Sequence, residues 1–178
     1  MSKKTDARVL HSKEALRQAL VELSSHTPYP DINVRDLCVK AGVNRSTFYQ
    51  HYKNTREVLE DVEEHFLSGF DWPHALYHGN QEKTLNHLRK NRDTFYLLMD
   101  YGKVRQKLLY FSTQYNRGLL QEAGMEADED EVTIATIVTV SSTMDAFRYM
   151  IESGRDYDVE KIMDLMKAIS LKRFEEMR

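Results

Sequence analysis

Arg45, Ser46, Thr47, Tyr49, Gln50, His51 and Lys53 crowd into one short stretch, and every one of them ends in a hydroxyl, an amide, an imidazole or a cation. Such groups suit water, as an ordinary solvated helix face, or the phosphates and base edges of a nucleic-acid duplex. Val43, Phe48 and Tyr52, interleaved among them, fall on the other face of a helix and would hold it against its neighbours. Other chemistry is poorly supplied. There is no glycine-rich phosphate loop, no G-x-S-x-G and no H-E-x-x-H, so an enzyme lacks its usual residues here. His74 and His78 have the spacing of a metal pair but sit in a stretch that reads as an irregular connection. Glu63-Glu64-His65 reads as a solvated helix face. The carboxylates at 128–131 are adjacent rather than opposed, which suits capping and not acid–base work. No catalytic residue, metal or cofactor is expected.

The elements that would position the polar stretch are short helices. Leu16, Ala19, Leu20 and Leu23 recur at spacings of three and four, the inner face of a first helix within residues 6–25. Pro28 and Pro30 end it, because the residue before a proline is pushed out of the α region. Asn33 with Asp36 three residues on is a variant capping box opening a helix to Ala41, and Gly42 stops it. Asn44 is placed to cap the polar helix, and Asn54 with Glu57 to cap a longer one from Thr55 to about Phe70. Short helix, glycine turn, short helix, buttressed by a longer first helix, is the organisation of a helix-turn-helix module.

Downstream, residues 71–80 read as a connection, followed by helices at about 81–90, 92–100 and 103–122. Residues 130–153 are ambiguous, since Val132 to Val140 favours strand; the length without a turn signal decides for a helix. Acidic residues at its start suit a helix N-terminus. Its apolar residues lie on nearly every side, and Ala135, Thr139, Ser142 and Ala146 form a stripe of small residues that admits a second helix closely. A last helix spans about 158–175, using Val159, Ile162, Met163, Met166 and Ile169. The expected fold class is therefore all-α, with about nine helices and two domains, 1–54 and 55–178.

Composition agrees. The 178 residues are 41% hydrophobic and 30% charged, with Gly 7 and Pro 3, too apolar for a disordered chain and too poor in turn formers for a β-sandwich. Net charge is −3 but uneven: residues 1–60 carry ten Lys/Arg against seven Asp/Glu, and the remainder fifteen against twenty-one. A basic head on an acidic body suggests that only the head meets a polyanion. The single Cys38 excludes an internal disulfide, reads as a packed, inert thiol, and fits a reducing cytoplasm. Neither a secretory leader nor a membrane span is legible, so no membrane partner is expected.

Asn33–Asp36 with Leu37, then Ala41-Gly42-Val43, then Thr47-Phe48-Tyr49-x-His51-Tyr52-Lys53 resembles the N-terminal domain of the TetR family of transcriptional regulators, over roughly residues 12–66. The remainder is similar in helical content and order, with some likeness to dihydroxyacetone-kinase operon activator-type regulators. The resemblance implies a three-helix, homeodomain-like DNA-binding head and a helical dimerisation and effector domain. It implies that Thr47, Tyr49, His51 and Lys53 touch phosphates, that Arg45, Ser46 and Gln50 face base edges, and that Arg35 and Asn44 join them. Cys38 stands where the family usually has Ala. The implied function is a repressor acting as a homodimer on palindromic double-stranded DNA, with a small molecule or a protein as candidate effector. The last two helices would form the dimer interface, at Ala135, Thr139, Ser142 and Ala146. Phe66, Phe70, Phe95, Met99, Phe111, Tyr115 and Met144 are the expected lining of an effector pocket, being adaptable apolar groups with one polar end. The same residues at helical spacing could equally be packed core. The rival reading is a helical protein-interaction adaptor with a degenerate DNA-binding head.

Overall fold

The computed structural model describes residues 3–68 and 81–162, with residues 164, 165 and 168 beyond them. The described residues are all-α: α1 Lys3–Ser24, α2 Val34–Ala41, α3 Arg45–His51, α4 Thr55–Ser68, α5 Gln81–Lys90, α6 Arg92–Tyr101, α7 Val104–Glu122 and α8 Glu129–Glu152. A 3₁₀ turn at Tyr29–Asp31 follows α1, and helix resumes at residue 159. The expected 71–80 connection with His74 and His78, together with Phe70, Met163, Met166, Ile169 and the end of the last helix, lies outside the described residues. No described helix is long and apolar enough to cross a membrane.

The chain folds into two compact units. One comprises Met1–Phe70 with Asn91–Lys107, the other Asp71–Lys90 with Leu108–Arg178. In the first, α1 packs on α2, α3, α4 and α6 around Leu16, Ala19, Leu20, Leu37, Phe48, Val58, Leu59 and Val62, all buried. In the second, α5 packs on α8, with Leu85, Leu88, Val140, Met144 and Phe147 buried.

Local chemistry sets the helix ends. Asn33 accepts a hydrogen bond from the Asp36 backbone N–H at 3.1 Å, and Gly42 turns the chain at φ 64°, the left-handed region that glycine enters without penalty. Asn54 accepts from the Glu57 N–H at 3.1 Å while Glu57 reaches back to the Lys53 N–H at 2.8 Å. Asp128 and Glu131 form a reciprocal capping box at the start of α8. Along α8, Thr136, Thr139, Ser142 and Thr143 each donate a hydroxyl to the carbonyl four residues earlier, at 2.8–2.9 Å, which keeps these polar groups satisfied within the helix. One expected cap is absent. Asn44 begins α3 without a side-chain cap hydrogen bond, so this helix of seven residues owes its place to packing and not to its own end.

Candidate nucleic-acid interface

Between α2 and α3 the chain turns through Gly42-Val43-Asn44, with the Val43 N–H donating to the Cys38 carbonyl at 3.0 Å. The turn is tight, with only three residues between the end of α2 and the start of α3. Phe48 is completely buried and Tyr52 nearly so, which fixes the face α3 turns inward. Arg45, Ser46, Tyr49, Gln50 and Lys53 are exposed, and Thr47 and His51 half-exposed, so the polar stretch forms one outward surface. Tyr49 keeps 54% of its surface in solvent with its ring edge-on to Phe48, centroids 5.3 Å apart, which places a rigid phenol on a buried aromatic base. Arg35, in the first turn of α2, and Asn44 are exposed as well.

Lys53 is an open cation of this surface: its side chain is 88% exposed, and its ion pair with Glu57 is a loose 3.8 Å. Surface pairs of this kind contribute little, so the ammonium can be given up to another anion at small cost. Cys38 is buried, and burial pushes its thiol up against the opposing charge of Arg45, as an inert packing group requires.

Beneath the surface lies a polar network that the residue pattern did not announce. Asp61 on α4 accepts hydrogen bonds from the Tyr52 hydroxyl and from Arg17 Nη1 at 3.0 Å, with Lys13 Nζ at 3.3 Å, all on the same oxygen. Burial works against the Asp61 charge, but Tyr52, Arg17 and Lys13 outweigh it and hold the carboxyl below its usual range. Burial, then the hydrogen bond to Asp61, pushes the Tyr52 phenol far up, so it stays a donor. Glu63 corrects the reading of residues 63–65 as a solvated face. It is 2% exposed, takes the Lys103 N–H at 3.0 Å and pairs with Lys107 Nζ at 2.9 Å. Only Glu64 and His65 of that run are exposed.

The profile of bacterial regulatory proteins of the tetR family matches residues 16–62, from the inner face of α1 through the polar helix into α4. Over those residues the chain is similar to that family. A curated relative, the uncharacterized HTH-type transcriptional regulator YxbF of Bacillus subtilis strain 168, is 37% identical over 61 residues. That match takes in 34% of this chain and 16% of the relative's length. Three solved structures share the fold. A Clostridium perfringens regulator aligns with TM-score 0.63 at 15% identity, covering 85% of this chain and 94% of its own. A TetR regulator from Streptococcus agalactiae 2603V aligns at 0.58 and 23%, covering 90% and 94%. The dihydroxyacetone kinase operon activator DhaS aligns at 0.52 and 16%, covering 92% and 96%. The likeness of fold thus extends past the matched head.

The other expected site residues distribute as follows. Phe66, Phe95 and Met99 belong to the first unit, the first two buried; Phe111, Tyr115 and Met144 belong to the second, where Phe111 is 49% exposed and Met144 buried. On α8, Ala135, Thr139 and Ser142 are exposed and Ala146 half-buried, beside exposed Ile134, Ile137, Val138 and Tyr149.

Proposed function

We propose that the protein is a DNA-binding transcriptional regulator, acting as a homodimeric repressor on a palindromic duplex, and not an enzyme. The observation that supports this best is the outward surface of α3 in a TetR-type head: a helix anchored by Phe48 and Tyr52 that presents Arg45, Ser46, Thr47, Tyr49, Gln50, His51 and Lys53 together. Arg35 and Asn44 extend it along the adjoining helix end and turn. Thr47, Tyr49, His51 and Lys53 take phosphates in this reading, and Arg45, Ser46 and Gln50 face base edges. Residues 1–54 bear the DNA contact and 55–178 the dimerisation and any effector response.

Two considerations support dimerisation. A recognition helix of seven residues makes too few contacts alone, and a two-fold pair reads two half-sites about one helical turn apart. The exposed apolar residues of α8, Ile134, Ile137 and Val138, flank the small residues Ala135, Thr139 and Ser142, which suits a second copy of the same helix. A gel-shift titration against random-pool duplexes at several salt concentrations tests the reading. Tyr49→Phe and Lys53→Ala should weaken binding to every sequence, with Lys53→Ala lowering the salt slope by about 1. Unchanged affinity in both variants would sink the assignment of this surface.

A further inference from the structure

We propose that Asp61, on α4 and outside the polar helix, is a positioning residue for DNA contact: through the Tyr52 hydroxyl it sets the angle and depth at which α3 stands on α1 and α4. The inference rests on the DNA-binding reading above and adds to it a residue that makes no contact with the duplex itself.

Helix α3 has seven residues and no side-chain cap at its start, so it cannot hold its own orientation. The turn through Gly42–Asn44 ties its start to α2 and Phe48 anchors its middle, but apolar burial is non-directional and does not by itself set the far end of so short a helix. What fixes the second point is the C-terminal end. Tyr52 follows the last residue of α3, its backbone N–H donating to the Phe48 carbonyl at 2.9 Å and its hydroxyl to Asp61. The Asp61 oxygen that receives it also receives Arg17 at 3.0 Å and faces Lys13 at 3.3 Å, so α1, α4 and the end of α3 meet on one carboxylate. Arg17 is held in turn by Glu14 one turn earlier on α1, and Lys13 lies over the Tyr52 ring, 5.5 Å from its centroid. Hydrogen bonds with an ionised partner are directional and strong, which makes this cluster the angular constraint that Phe48 cannot supply. Lys53 and His51 flank Tyr52 in the chain, so a shift of Tyr52 moves two candidate phosphate contacts at once.

Charge makes the inference testable by sign. An acidic side chain in a head that meets a polyanion opposes binding electrostatically, and removing it would by that effect alone tighten the complex. Positioning predicts the opposite. The probe is a duplex that the wild-type protein selects from a random-sequence pool, with a scrambled duplex of equal length beside it. Dissociation constants are taken on the active fraction, fixed by stoichiometric titration, with thermal unfolding measured in parallel. Asp61→Ala should weaken binding to the selected duplex by about tenfold, the scale set by loss of a charge-assisted hydrogen bond. Asp61→Asn keeps an acceptor for Tyr52 and should recover part of that loss. Tyr52→Phe should weaken binding in the same direction and add little in the Asp61→Ala background, since the two groups act through one bond. Equal or tighter binding by both Asp61 variants, or a fall in unfolding temperature with no change in dissociation constant, overturns the proposal and leaves the DNA-binding reading intact. Failure of the wild-type protein to select any duplex overturns both.

Discussion

Removing the Lys107 ammonium should strand a buried carboxylate, and the cost can be worked from the geometry. Glu63 is 2% exposed and has two partners, the Lys103 N–H at 3.0 Å and Lys107 Nζ at 2.9 Å. Breaking a fully buried ion pair from one side costs about 3–5 kcal/mol. Lys107 is itself 43% exposed and the Lys103 N–H survives, so Lys107→Met should cost about 2 kcal/mol, a fall of roughly 4–8 °C in melting temperature for a chain of this size. Glu63→Gln keeps an acceptor for Lys103 and hands Lys107 to water, so it should cost only about 1 kcal/mol. The double variant should cost less than the sum of the two. Urea unfolding followed by circular dichroism measures all three. A cost below about 0.5 kcal/mol at neutral pH, as for a solvated pair, would refute the reasoning.

Arg45→Ala or Gln50→Ala should relax base preference by about 1–3 kcal/mol at one position of a selected duplex, where Lys53→Ala weakens all sequences alike; competition against single-base variants separates the two patterns. Val138→Arg, placed on an exposed residue of α8, should leave a folded monomer with lost DNA binding, and Ala146→Arg should do the same; a dimer persisting in sedimentation equilibrium would exclude this face. The carboxyl of Asp61 is held below its ordinary value of 3.8, so its contribution is complete above that pH and is lost as pH falls below it; acid unfolding of Asp61→Asn should be flatter than wild type in that window.

Much of the fold was legible because its signals act over one turn of chain. Asn33, Asn54 and Asp128 cap the helices they precede, and Gly42 takes the positive φ that its place between two short helices demanded. The spacing of Leu16, Ala19 and Leu20 named the inner face of α1, and the alternation of Phe48 and Tyr52 with polar residues named both faces of α3. Even the β-prone run of α8 was readable as helix from its length, although the hydroxyl bonds it makes to its own backbone were not foreseen.

Three features escaped, for related reasons. Glu63 looks like any surface glutamate, because what buries and pairs it is a corner forty residues away in the chain, at Lys103 and Lys107. Asp61 gathers Tyr52, Arg17 and Lys13 only once α1, α3 and α4 are packed, and its Arg17 partner lies 44 residues before it. Asn44 has the residue type of a cap but makes no cap bond, since backbone placement and not residue type decides whether the side chain reaches. Hydrogen-bonding patterns within a turn, and apolar periodicity, are properties of the chain itself, so the sequence alone determined the run of helices, the ends set by Asn33, Gly42 and Asn54, and the polar surface of α3. Burial of a charge depends on which distant segment covers it, and one carboxylate can serve three donors only when three elements converge. Those were decisions of the tertiary structure, because a buried ion is stable only where distant groups have already been brought within hydrogen-bonding reach.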